Sequence, residues 1–238
     1  MARKREVRQG FWRENALSIV LAAMFVVLIA GQAVVGNIAD NEERVAHHER
    51  PRRLAQYLAS GAFASATFEN WESEFLQMGV YVLLTVWLRQ RGSAESRPML
   101  EAEEDDIEKT EKKYWTGTTP RLAHAQGAAR WLYRNSLSLA LFALFALSFV
   151  GHLLGSWRAH VADALAHGRP PATLLQHLAD ARFWFESLQN WQSEFLAVLA
   201  LVVLSIWLRQ DRSPQSKPVE APHEVTGALG CDHRDVDE

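Results

Sequence analysis

Four apolar runs interrupt an otherwise polar chain. Ala16–Gly36 carries only Ser18 and Gln32 as polar side chains, and Ser136–Gly155 is a second run of similar length. About 20 apolar residues at the helical rise of about 1.5 Å cover the roughly 30 Å hydrocarbon core of a bilayer, so both are predicted to span a membrane. Phe75–Leu88 and Phe195–Leu208 are shorter. Their length alone would suit a buried soluble helix, but tryptophans flank them: Trp71 and Trp87 around the first, Trp191 and Trp207 around the second. Each pair is separated by roughly 24 Å along a helix, the spacing of two interfacial aromatic belts. Four transmembrane helices are therefore predicted.

The runs are related. Glu69-Asn-Trp-Glu-Ser-Glu-Phe-Leu76 returns as Gln189-Asn-Trp-Gln-Ser-Glu-Phe-Leu196 at an offset of 120 residues, and Trp87-Leu-Arg-Gln90 returns as Trp207-Leu-Arg-Gln210. Asn15, Gly31, Pro51, Ser93 and Ser96 match Asn135, Gly151, Pro171, Ser213 and Ser216 at the same offset without a gap. Such register implies an internal duplication. With two spans per copy, both copies have the same orientation and form parallel repeats.

The polar stretches divide the chain further. Residues 1–10 form a basic arm on the cytoplasmic side, 11–98 the first two-helix repeat, 99–130 a charged cytoplasmic linker, 131–218 the second repeat and 219–238 a disordered cytoplasmic tail. The block Glu101–Lys113 has too little apolar surface to fold on its own, and the chain from Pro214 onward is expected to be mobile. Outside the first span, Asn37–His48 is expected to continue as helix. Arg53–Ala59 and Thr173–Ala179 read as short amphipathic helices after the prolines. Phe63–Phe68 and Phe183–Leu188 lead into the second span of each copy. The basic start before Ala16–Gly36 resembles a signal peptide, but the run is long for one and has a twin in mid-chain, which favours a retained span.

Charge then orients the spans. Segments 1–15, 89–134 and 209–238 hold 5, 9 and 4 of the 25 Lys and Arg residues, and the two intervening loops hold 4 and 3. Positive residues collect on the cytoplasmic side, so both termini are expected there. A net charge of −3 gives no nucleic-acid signal. The single cysteine, Cys231, excludes an intrachain disulfide or a cysteine-rich metal site. There is no phosphate-binding loop, no H-E-x-x-H and no G-x-S-x-G, so an enzyme reading has little support and a metal-dependent enzyme of the outer face stands third.

These patterns, with Phe11-Trp-Arg-Glu-Asn-Ala-Leu-Ser18, Trp87-Leu-Arg-Gln-Arg-Gly-Ser-Ala-Glu-Ser-Arg-Pro98 and Ser213-Pro-Gln-Ser-Lys-Pro218, resemble a family of small bacterial integral-membrane proteins known only as a domain of unknown function. The resemblance covers most of the chain. It implies a bacterial membrane location and carries no activity.

Two constellations are candidate sites. Asn70, Ser73, Glu74 and Gln77 make a polar stripe on one helix face, repeated as Asn190, Ser193 and Glu194. Glu74 and Glu194, with Asn70 and Asn190, would suit a proton or cation site if the two copies bring the carboxylates together. Alternatively, Asn70 and Asn190 are helix N-caps with Glu in the first turn. The second constellation is His160, Asp163 and His167, matched by Asp40, Glu43 and His47. Each trio has metal-capable donors on one helix face, against the simpler reading of a solvated face. Gly151-x-x-x-Gly155 is a helix-contact motif, read either as bringing the first and third spans together or as having no special role.

The expected architecture is an all-α membrane protein with four transmembrane helices in two tandem parallel repeats and helical extracytoplasmic loops. It is a multi-pass protein of the bacterial inner membrane with no cofactor and no nucleic-acid partner. Its partner is the lipid bilayer, with a homo-oligomer open. The expected role is structural or accessory in the envelope; the alternative is a small proton- or cation-coupled transporter or channel using Glu74 and Glu194.

Overall fold

The computed structural model describes residues 10–97 and 119–227. Among these the fold is entirely helical. The elements are α1 Phe11–Glu14, α2 Ala16–Ala46, α3 Leu54–Leu58, α4 Gly61–Trp87, a 3-10 turn at Arg121–His124, α5 Gly127–Arg134, α6 Ser136–Ala166, α7 Leu174–Leu178 and α8 Ala181–Leu204. The charged block Glu101–Lys113 lies outside the described residues.

Helices α2 and α6 are long and apolar enough to cross a membrane. Both outrun their apolar stretches, as expected for Asn37–His48, and reach about 46 Å at the helical rise. Each is broken at its start by an asparagine. The Asn15 side-chain amide donates to the Phe11 carbonyl and that of Asn135 to the Trp131 carbonyl, each at 2.8 Å. This bond competes with the helical ladder and separates α1 from α2 and α5 from α6.

Other bonds also recur 120 residues apart. The Ser73 hydroxyl donates to the Asn70 carbonyl and that of Ser193 to the Asn190 carbonyl, both at 2.8 Å. After α4 and α8, the Gln90 and Gln210 amides donate to the hydroxyls of Ser96 and Ser216, both at 2.9 Å. Each short helix, α3 and α7, is closed by a glutamine, Gln56 or Gln176, that accepts from the backbone amide of Arg53 or Thr173.

The chain divides into two compact units. One contains Met1–Ala66 and Leu154–Pro171. Within it, Tyr57 of α3 is buried and meets Gly36 of α2 at a distance that leaves no room for a Cβ. Burial and the nearby Asp40 push the Tyr57 phenol above its ordinary pKa. Gly155 of α6 sits against α4, and a Cβ there would come within 2.6 Å of the Ser65 amide. In contrast, α2 has no buried residue.

The other unit contains Thr67–Leu153 and Ala172–Glu238. Here Gly151 faces the Phe68 ring. The glycine motif therefore packs α6 on α4 rather than on α2, the partner one of the two sequence readings gave it. Gly31, the α2 counterpart of Gly151, has nothing within 4 Å of a built Cβ. The reason is local: the aromatic and backbone surfaces that fill the glycine notches belong to Phe68 and Ala64–Ser65 of α4.

The chain beyond Pro214 departs from the expectation of a mobile tail. Up to residue 227 it is hydrogen-bonded to the loop after α4: Gly92 N donates to Thr226 Oγ1 and Gly227 N to Ser93 O, each at 2.9 Å. The Ser93 and Ser205 hydroxyls lie 3.0 Å apart. At the centre is Lys217, 1% exposed, whose ammonium donates to the carbonyls of Gly92, His223 and Val225. Three acceptors satisfy its three donors.

A buried histidine–glutamate cluster

The polar stripe on α4 has a buried edge. Thr67, Glu72, Ser73, Gln77 and Gly79 are buried, and Glu74 is exposed. Asn70 is also exposed. Glu69 and Glu72 lie three residues apart, so both carboxylates project from neighbouring positions on one face. On α6 the buried polar residues of this unit are Ser148 and His152. On α8, Phe183 and Ser187 are buried, and Glu186 and Asn190 sit four apart beside them.

These faces meet at Glu72. His152 Nδ1 lies 2.9 Å from Glu72 Oε2, and both side chains are 0% exposed. Trp191 Nε1 donates to Glu72 Oε1 at 2.9 Å. Both carboxylate oxygens are thus engaged, each from a different helix. Phe183 covers the imidazole, with ring centroids 4.8 Å apart. Toward the start of α4, Glu69 accepts a hydrogen bond from the Asn190 side-chain amide. Glu186 pairs with Arg182 one turn earlier at 3.1 Å.

The arrangement leaves one group unsatisfied. His152 Nε2 is buried without a hydrogen-bond partner among the described residues, as is the Ser187 hydroxyl beside Glu186. Glu69, His152 and Glu186 each offer a donor atom, and these atoms lie within 4.8 Å of one another. A buried imidazole with one nitrogen unpartnered, on a residue that groups with two carboxylates, has the chemistry of a cation site.

The residues singled out by sequence fall around this cluster rather than in it. Glu74 and Glu194 are near enough for the field of Glu74 to act on Glu194, but Glu74 is exposed and Glu194 half-buried. Asn190 joins Glu69 in the cluster, whereas Asn70 offers its carbonyl to Ser73. The N-cap reading of Asn70 and Asn190 is corrected: both are interior to helices that begin at Gly61 and Ala181. Asp180 caps α8 instead, accepting from Arg182 N at 2.8 Å. Helix starts earlier because Gly61–Phe68 and Ala181–Leu188 continue the ladder without a break.

His160, Asp163 and His167 are all exposed. Asp163 is held by Arg169, and His167 Nδ1 lies 3.1 Å from Asp163 Oδ1. In the matching loop Asp40 pairs with Arg52 at 3.4 Å. Asp40 and Asp163 each have one oxygen on an arginine of their own loop, and among the described residues Glu69, His152 and Glu186 form the group with ligand spacing.

Sequence reasoning missed His152 and Glu186. The available signal was asymmetry between the copies: Glu69, Glu72, His152 and Glu186 face Gln189, Gln192, Gln32 and Ala66. Every ionisable member of the cluster has a non-ionisable counterpart.

A family model described as a domain of unknown function (DUF6766) matches residues 8–228. No curated protein and no solved structure matches the chain.

Proposed function

The chain belongs to the family defined by this domain of unknown function, and from that premise we propose that it is a multi-pass protein of a bacterial inner membrane that takes up and passes a cation, a proton or metal ion, through the Glu72–His152 cluster. The observation that carries this reading is the pair itself: two ionisable side chains, both 0% exposed, joined at 2.9 Å, with the second imidazole nitrogen left open. A buried pair of ionisable groups is seldom more stabilising than well-packed apolar residues. Ionisable groups among apolar spans are costly and typically serve an ion or proton.

The membrane part of the proposal rests on several supports. Helices α4 and α8, with 27 and 24 residues, extend about 40 and 36 Å, enough to cross beside α2 and α6. The hydrogen bonds repeated 120 residues apart support two tandem parallel two-helix repeats. The Lys/Arg distribution favours cytoplasmic termini, with α3 and α7 outside. The role is non-enzymatic. The carboxylates of the transport reading become Glu69, Glu72 and Glu186 in place of Glu74 and Glu194.

A structural or accessory role in the envelope is the second reading. It draws on α2, whose 31 residues include none that is buried and whose exposed side chains include Leu21, Met24, Phe25 and Leu28. Such a face is suited to lipid, to a second copy or to another membrane protein.

The test is reconstitution of the full chain in liposomes, with proton- and divalent-cation-driven flux measured beside empty vesicles. The proposal expects flux in the wild type that is lost in Glu72→Gln and in His152→Gln. Wild-type flux equal to that of empty vesicles under every gradient would leave the structural reading.

A further inference from the structure

We infer that Glu69, Glu186 and His152 Nε2 form a binding site for a divalent transition-metal ion, with Glu72 orienting the histidine. This rests on the cation reading above and names the cation. The argument begins with the imidazole. Its Nδ1 is paired with Glu72 Oε2, so in the neutral ring the proton sits on Nδ1 and the lone pair on Nε2. This is the carboxylate–histidine arrangement that fixes a metal-ligating tautomer and raises ligand basicity. Trp191 holds the other oxygen of Glu72, and Phe183 packs on the ring. The histidine is therefore held in one orientation before any ion arrives.

The open nitrogen is fully buried. Glu69 comes from α4 and Glu186 from α8, and their donor atoms lie within 4.8 Å of each other and of the histidine's. An ion bound at about 2.0–2.2 Å from each donor would draw these atoms closer together. Two carboxylates would balance a divalent charge. Asn190 already contacts Glu69, and Arg182 contacts Glu186, so both carboxylates are steered without being closed off. One imidazole and two carboxylates, with no thiolate, suit zinc, manganese or ferrous iron rather than copper(I), and the nitrogen donor argues against magnesium or calcium.

The asymmetry between the copies supports the inference independently. The matching positions Gln32, Ala66, Gln189 and Gln192 offer no imidazole or carboxylate. The duplicated framework thus carries donor chemistry once, at one place.

The experiment uses the full chain in nanodiscs, stripped with chelator and titrated with zinc and manganese by calorimetry, with cobalt(II) as a spectroscopic probe. One equivalent of metal is expected, with the visible cobalt spectrum of a nitrogen- and oxygen-ligated ion. His152→Gln should abolish it, and Glu69→Gln, which leaves the Glu72–His152–Trp191 contacts intact, should weaken it. Glu72→Gln should weaken binding by about 10–100-fold, as for an outer partner of a ligating histidine. Size-exclusion profiles identify any variant that fails to fold, and Glu69→Gln keeps the question answerable if His152→Gln is one. Absence of metal binding in the wild type, or binding unchanged in both Glu69→Gln and His152→Gln, overturns the inference. If proton flux through liposomes persists in that case and is lost in His152→Gln, the metal site fails while the cation reading stands. If flux is also absent, both fail.

Discussion

His152 and Glu72 meet through a 2.9 Å contact with neither side chain exposed, although one comes from an apolar run of α6 and the other from the polar stripe of α4. Everything else at the site is arranged around that contact. Trp191, read in the sequence as a belt residue at the membrane interface, spends its indole N–H on Glu72.

The pair makes a specific energetic prediction. Removing one partner leaves a buried charge or donor uncompensated, so His152→Leu should cost about 3–5 kcal/mol. Replacing both, as Glu72→Leu with His152→Leu, should recover most of that loss, short of the hydrogen bond to Trp191. Thermal or denaturant unfolding in detergent would measure both. A double variant less stable than either single variant would contradict the pairing.

The glycine contacts predict an unequal response in the two copies. Gly151→Leu puts a Cβ within 2.6 Å of the Phe68 ring and should destabilise by about 1–3 kcal/mol through overpacking. Gly31→Leu meets nothing within 4 Å and should stay within about 0.5 kcal/mol of wild type. The same unfolding assay decides, and equal effects would refute the packing of α6 on α4.

Lys217 tests the loops beyond α4 and α8. Lys217→Met leaves three carbonyl acceptors without their donor, costing about 1–3 kcal/mol and raising hydrogen exchange over residues 214–227. Burial, and next the positive Arg209, pull the Lys217 pKa below the usual lysine value. A detached loop therefore binds the proton more tightly than the packed one. Packing should strengthen as pH rises from the lowered pKa toward the ordinary one, and stay flat below that window. Lys217→Met should lack the rise; a rise of equal size in the variant would assign it elsewhere.

Topology is open to direct labelling. In a Cys231→Ser background, cysteines at Arg121 and Asp163 should react from opposite faces of the membrane, because the Lys/Arg asymmetry puts the linker inside. Labelling of both from one side would overturn the four-span arrangement.

What was legible in the sequence follows a physical division. Helix periods, the asparagine breaks and the serine turns after the tryptophans repeat between the copies, because the same local hydrogen bonds are needed twice. Ser73 and Ser193 are examples: each closes onto the asparagine carbonyl three residues back. Attention to shared residues therefore finds structure. The ionisable residues of the cluster are ones the copies do not share, drawn from three helices far apart in sequence. Nothing in the local pattern of His152, a lone imidazole near the end of an apolar run, reveals that Glu72 and Glu186 approach it. The Glu72/Gln192 and His152/Gln32 differences were visible, but their meaning required the fold. In the two trios the sequence matched, Asp40 pairs with Arg52 and Asp163 with Arg169, contacts that spacing along one helix does not reveal.

The most direct test of the account is the ligation state of one ring. In full-length protein carrying nitrogen-15 histidine, the His152 signals are assigned by their loss in His152→Gln and followed with added zinc or manganese. The account predicts that the Nε2 resonance responds to the metal ion, while Nδ1 keeps the signature of its bond to Glu72. An Nε2 resonance unmoved by either metal would contradict it.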